Sequence, residues 1–312
     1  MKNLIKRKIS IVFIIVFALV EISLYVKSES AEASNKNYNR ELAVEYALKW
    51  ATSSNSKYYN YIKDGGDCTN FVSQVLRAGG MEFLGSRETA TSIKSWFYYS
   101  ANLPNRSSTW TAAQPFHLHF GIENKRAHKY IEYKIIDALI NWDEIYMNLL
   151  PGDIVQYSRP NNITFHSQVI TELMDRKRTI YFCQHSNSIE NFIKNGNLRY
   201  YLMGKPNDYN FYIYNIKGHN DNIYRNSKSN SMEICNENLT EDEYRKELVE
   251  AIYIIKASLS DTRFNSEEDI SEETEEFINK MNKRIEEIEF YMNTREKSSK
   301  DLLDILSSRE GL

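Results

Sequence analysis

The chain predicts an α+β fold with a C-terminal helical extension, on three observations. Two helix-patterned segments come first, and after Pro151-Gly152 the hydrophobic period changes to two. Beyond a polar stretch lies an acidic, helix-patterned tail. Its 312 residues are 42% hydrophobic and 26% charged, which excludes a wholly disordered protein. Eleven Gly and five Pro exclude collagen-like and Pro-rich architectures, and three Cys exclude a disulfide-stapled scaffold.

The N-terminus reads as an export signal. Lys2, Lys6, Arg7 and Lys8 precede the apolar run Ile9 to Val20, and Ala31-Glu32-Ala33 offers a small-residue cleavage site. Residues 1–33 are therefore expected to be a signal peptide. An uncleaved membrane anchor is the alternative, because Ile22 to Val26 prolong the apolar stretch. Either way the rest of the chain is expected outside the cytoplasm, secreted or in the cell envelope.

A helix is predicted over 38–53, where Leu42, Ala43, Tyr46, Ala47 and Trp50 recur at helical spacing. Gly65-Gly66-Asp67-Cys68 opens a second one, with Phe71, Val72, Val75 and Leu76 as its apolar stripe and Gly79-Gly80 as its stop. The stretch 81–148 has a mixed pattern. Residues 153–158, 164–173 and 179–186 read as successive strands, followed by apolar-aromatic runs at 199–203 and 209–216.

The main domain is expected over 34–218 and a polar linker over 219–238. An acidic helical tail fills 239–312. Thr240 and Glu243 make a capping box there, and Phe277, Met281, Ile285, Ile288 and Met292 form one apolar seam. The net charge of −3 divides unevenly, with +2 over residues 1–33, +6 over 34–231 and −11 over 232–312. A mildly basic middle suits an anionic partner such as a cell-wall polymer, but its Lys and Arg are too dispersed to indicate nucleic acid.

The chemistry centres on Cys68. Two glycines let the chain turn tightly before it and approach a substrate closely. At a helix start, the helix dipole favours a thiolate, and unpaired N–H groups can stabilise the oxyanion of an acyl transfer. A nucleophilic cysteine needs a histidine, and His166 sits near the start of one predicted strand while His185 ends the next. In a hairpin centred between Asp175 and Arg176, His166 falls opposite His185, Val169 opposite Phe182 and Thr171 opposite Ile180. In that register Cys68 attacks an amide or ester carbonyl, His166 is the base and His185 orients it. Asn187 is a second candidate for the orienting role, and Asp67 is placed to cap the helix, orient the site, or both.

These residues resemble a known family. The pattern Tyr38…Arg40-Glu41-Leu42-Ala43…Tyr46-Ala47…Trp50, then Gly65-Gly66-Asp67-Cys68-Thr69-Asn70-Phe71-Val72-Ser73-Gln74, looks like the "putative amidase domain" of secreted bacterial proteins. Leu150-Pro151-Gly152-Asp153-Ile154-Val155 and His166-Ser167 extend the likeness, which covers roughly residues 38–190 and thins between 81 and 148. That family is similar to the NlpC/P60 and CHAP cysteine hydrolases. The resemblance implies a papain-like fold with a helix-borne cysteine packed on an antiparallel sheet. It also implies Cys68 as nucleophile, His166 as base and His185 as third polar residue.

Other conspicuous residues take plainer readings. His117-Leu118-His119 is read as a surface or groove pair rather than as metal ligands at strand spacing. Cys183 is read as packing near the site. Its alternatives are disfavoured, a disulfide to Cys235 by the odd cysteine total and the distance along the chain, and a zinc set with Cys68, His166 and His185 by the lack of CxxC or HExxH spacing. No metal or cofactor is expected. Trp96, Trp110 and Trp142 are read as core, and no choice is made among Tyr58, Tyr59 and Tyr61 as an oxyanion donor.

The expected function is an exported cysteine amidase or peptidase acting on a peptide or peptidoglycan-like amide. Membrane contact is expected only if the N-terminal segment stays uncleaved. The alternatives are a wall- or partner-binding module with a degenerate hydrolase site, and an acyltransferase using the same thioester chemistry.

Overall fold

In a computed structural model of the protein, residues 37–174 and 178–218 are described, with isolated positions at Asp221, Lys256, Asn279, Asn282, Lys283 and Glu286. The segment 1–33 lies outside the described residues. So do the linker and the acidic tail, apart from those isolated positions. No helix among the described residues is long and apolar enough to cross a membrane.

Six strands form one antiparallel sheet: β1 (Lys129–Lys134), β2 (Ile154–Ser158), β3 (Thr164–Met174), β4 (Thr179–Gln184), β5 (Ile193–Asn197) and β6 (Asn210–Asn215). Their spatial order is β1-β6-β2-β3-β4-β5. Helices cover both faces, so strands such as β2 and β6 are buried at every residue and lose the polar alternation of a one-sided sheet. The α+β class read from the sequence holds.

On one face lie α1 (Arg40–Trp50) and α2 (Cys68–Ala78), together with the short helices α3 (Ser108–Thr111) and α4 (Ala113–His117). Asn39 starts α1 by accepting the Leu42 N–H at 2.9 Å. Helix α2 buries nine of its eleven residues, and Phe71, Val72, Val75 and Leu76 pack with Ile154, Val169 and Cys183. Each such side chain contributes roughly 1.5–3 kcal/mol on burial. Trp96 and Trp110 are buried in the same core, as read from the sequence.

On the other face lie α5 (Ile135–Ile140), α6 (Trp142–Asn148) and α7 (Leu198–Met203) over Val155, Tyr157, Ile170, Phe182 and Phe211. The run 199–203 thus belongs to a helix, which starts because Asn197 Oδ1 accepts the Arg199 and Tyr200 N–H groups. Strands β1 and β5 were not legible. β1 lies in the mixed stretch, and β5 is Ile-Lys-Asn-Gly-Asn with a weak alternation.

Several residues of the family pattern meet at one buried node. Arg40 Nη1 binds Asp153 Oδ1 at 2.9 Å and the Pro151 carbonyl at 2.7 Å, and the Tyr38 hydroxyl donates to the Gly152 carbonyl at 2.7 Å. Asp153 also accepts from Leu150 N, Ile216 N and Asn215 Nδ2. A buried charge with every lone pair occupied is tolerated where a bare one is not. The node fastens α1 to the turn entering β2 and to the end of β6.

Candidate active site

Helix α2 presents Cys68 as its first residue. Gly65 and Gly66 precede it at φ +100° and +113°, backbone that side chains with a Cβ rarely adopt. Asp67 occupies the cap position but gives the helix no side-chain cap. Its carboxylate is taken elsewhere: Oδ1 accepts from Tyr61 N at 3.0 Å and Asn70 Nδ2 at 2.9 Å, while Oδ2 lies 2.6 Å from His185 Nδ1. The first turn of α2 therefore keeps N–H groups with no side-chain cap, and an uncapped helix start is where an oxyanion is stabilised. The Asp67 side chain therefore does not cap the helix and is bound to His185 instead.

His185 is held on every side. Its Nε2 lies 2.8 Å from the Trp50 carbonyl, which only accepts, so Nε2 carries a hydrogen. Nδ1 is occupied by Asp67 Oδ2 at 2.6 Å. The ring is stacked between Phe71 at 4.0 Å and Phe192 at 3.8 Å. Both nitrogens are occupied, so in this arrangement His185 is tied to Asp67 and Trp50. The Asp67 N–H bond to the Ser186 carbonyl at 3.1 Å ties the Asp67–Cys68 turn to the end of β4. Asn187 follows there, its backbone within 4.0 Å of where a Cβ on Gly66 would stand.

His166 lies on the opposite face of the sheet. Its ring sits 6.0 Å from those of Tyr157 and Tyr201, and Nε2 binds Gln184 Oε1 at 2.8 Å. Gln184 Oε1 also accepts from Gln168, whose Oε1 accepts the Tyr157 hydroxyl. The structure thus brings Asp67, Cys68, His185 and Asn187 to one corner and does not bring His166 to that face.

The expected hairpin register needs correction. Val169 pairs with Cys183 and Ile170 with Phe182, one residue away from the expected alignment. The Met174–Thr179 pair leaves four loop residues between β3 and β4, and a bulge at Thr171 absorbs one more. A one-residue slip turns every side chain to the other face, so His166 meets Gln184 rather than His185. A second bulge is closer to the site. Tyr157 pairs with His166 but Ser158 pairs with Thr164, leaving Phe165 unopposed. The Phe165 carbonyl lies 4.0 Å from Cys68 Sγ.

Cys68 opens on a cavity of about 330 Å³ lined by Gly65, Gly66, Thr69, Arg159, Thr164 and Phe165 among others. Thr69 Oγ1 bonds Ser167 Oγ at 2.9 Å, fastening the first turn of α2 to β3. Cys183 is fully buried beside Val169, and burial pushes its thiol up to about 11, so it is packing. No group of three or more His, Cys, Asp or Glu among the described residues is arranged to hold a metal.

The histidine pair His117 and His119 is not a surface or groove feature. Both are buried in a helical segment, where His117 Nδ1 lies 2.6 Å from the Tyr214 hydroxyl and His119 Nδ1 2.5 Å from the Ile93 carbonyl. Burial pushes His117 down to about 4. Burial, reinforced by Arg126, pushes His119 down to about 3. Of the three tyrosines, Tyr61 donates its hydroxyl to the Ala101 carbonyl and Tyr58 stacks on Trp110. Tyr59 is half exposed. Sequence reasoning missed Arg159 and Thr164, which no motif marks and which only the turn before β3 brings to Cys68.

A family profile described as "Putative amidase domain" matches residues 37–214, so the chain belongs to that family. The chain is similar to the uncharacterized protein YjcM of Bacillus subtilis (strain 168), 30% identical over 165 residues, which is 49% of this chain and 32% of that protein. It is also similar to the uncharacterized protein YhbB of the same organism, 26% identical over 139 residues, covering 45% of this chain and 38% of that one. These matches therefore span 32% and 38% of the two relatives' lengths. No solved structure matches the chain.

Proposed function

We propose, from membership of this family and the geometry around Cys68, that the protein is an exported cysteine amidase. The observation that carries the reading is a cysteine at the uncapped first turn of an eleven-residue helix, opening on a cavity behind two positive-φ glycines. The Cys68 thiolate attacks the amide carbonyl carbon, and the oxyanion is received by the N–H groups of the first turn. The amine leaves with a proton, and water hydrolyses the thioester. The export-type N-terminus and the basic middle of the chain support an amide in an anionic cell wall, such as a peptidoglycan stem or cross-link.

His166 is proposed as the base that takes the thiol proton. It directly follows Phe165, whose carbonyl faces Sγ, and the bulge at Phe165 sets which face it occupies. Sliding the extra residue one position along β3 turns His166 toward Cys68. Its position against Gln184 is also the one observation that favours a second reading, a binding module with a degenerate site.

Iodoacetamide titration of the purified full chain from about pH 5 to 9, read by peptide mass spectrometry, separates the two. The amidase reading expects Cys68 to react well below the free-thiol pKa of ~8.5, and to lose that reactivity in His166→Ala. If Cys68 reacts no faster than Cys183 and Cys235, the binding-module reading replaces it.

A further inference from the structure

Five buried polar side-chain atoms among the described residues have no hydrogen-bond partner, and two of them belong to residues lining the Cys68 cavity: Arg159 Nη2 and Thr164 Oγ1. Leaving a buried donor unpaired costs about 1–3 kcal/mol, more for a charged group, so two beside one cavity call for a ligand. Both can donate. Arg159 makes no ion pair among the described residues, although Asp64 lines the same cavity.

The guanidinium is pre-positioned. It stands over the Phe165 ring at 5.9 Å and beside the Tyr209 hydroxyl. Its backbone is tied down as well, with the Arg159 carbonyl accepting from Ser158 Oγ at 3.0 Å, Asn162 N at 2.9 Å and Asn210 Nδ2 at 3.3 Å. A guanidinium held against a ring, with one buried nitrogen still unpaired, has a donor left for a carboxylate oxygen.

We propose that Arg159 and Thr164 form a carboxylate-binding subsite beside Cys68, so that the amide substrate carries a carboxylate within the span of this cavity. A monoanion fits better than a phosphate dianion, because the cavity that holds one guanidinium is also lined by the Asp64 carboxylate. For the word substrate the inference rests on the amidase reading; as a binding site it stands without it.

The test therefore has two arms. In the full chain carrying Cys68→Ala, binding of N-acetylalanine is compared with that of its N-methylamide by NMR titration. The acid is expected to bind at least tenfold more tightly, with the gap closing in Arg159→Gln and largely kept in Arg159→Lys. Equal binding, no binding of either, or a gap that survives Arg159→Gln overturns the subsite. In the chain with Cys68 intact, alkylation by iodoacetate is compared with alkylation by iodoacetamide. The ratio at Cys68 is expected to exceed that of free cysteine about tenfold and to fall to it in Arg159→Gln. A reactive Cys68 with a flat ratio and equal binding overturns the subsite and leaves the amidase reading standing. An inert Cys68 with selective acid binding does the reverse.

Discussion

The two faces of the sheet are built from the same strands and carry opposite kinds of polar structure. On the α2 face, polar groups are wired to a single turn: Asp67 to His185, Tyr61 and Asn70, and Thr69 to Ser167. On the opposite face, His166, Gln168 and Gln184 form a hydrogen-bonded network beside Tyr157 and Tyr201. The first arrangement holds a thiol at the edge of a cavity, and the second satisfies polar atoms inside an aromatic layer. Adjacent residues of one strand, His166 and Ser167, serve these different ends because alternation sends them to different faces.

The largest expected effect breaks the α2 face. Asp67→Ala leaves His185 buried beside an emptied site and should cost about 3–5 kcal/mol, the range for breaking a buried pair. Urea unfolding of the full chain measures it, and Cys68 alkylation should slow in parallel. A loss below about 1 kcal/mol, the level of an exposed pair, would mean that water has replaced the contact.

Next comes the opposite face. Gln184→Leu strands the donors of His166 and Gln168, and should cost about 1–3 kcal/mol. Its second readout sharpens the comparison. If Gln184 is what holds His166 away from Cys68, releasing it should raise Cys68 reactivity, whereas Asp67→Ala lowers it. A drop in both variants would show that the faces act as one unit.

Acidification probes the helical layer on the α2 face. His117 and His119 have folded-state values pushed down to about 4 and about 3, below the ordinary 6.5. On acidification the unfolded chain takes up their protons first, so the stability they confer is complete above pH 6.5 and lost as pH falls toward 4. The melting temperature should decline over that window, and His119→Gln should flatten the decline. An unchanged slope would assign it to other groups.

The smallest effect is expected from Thr69→Val, which removes the bond to Ser167 at nearly constant shape. Roughly 0.5–1.5 kcal/mol should be lost, visible as a small shift in the urea midpoint.

Much of the α2 face was legible in the sequence. Gly65-Gly66-Asp67-Cys68 followed by a helical stripe is local information, because glycine conformation and amphipathic spacing act within a few residues. The Arg40 and Asp153 patterns were legible as motifs, but their meeting across 113 residues was not. The pairing of His166 with His185 was misread because it hung on the register of β3 and β4. Register depends on loop length and on bulges at Thr171 and Phe165, and neither leaves a mark in the hydrophobic alternation. His117 and His119 were misplaced for a related reason: a histidine becomes buried when Tyr214 and Ile93 supply partners, and those come from distant segments.

By itself the sequence determined the α+β class, the helix that starts at Cys68, the two glycines before it and the three central strands, since each follows from forces between near neighbours. The tertiary structure alone decided that His185 clamps Asp67, that His166 turns to Gln184, and that Arg159 and Thr164 stand beside the thiol. Those outcomes depend on which face a strand residue occupies, and a single inserted residue reverses the face while leaving local propensity unchanged.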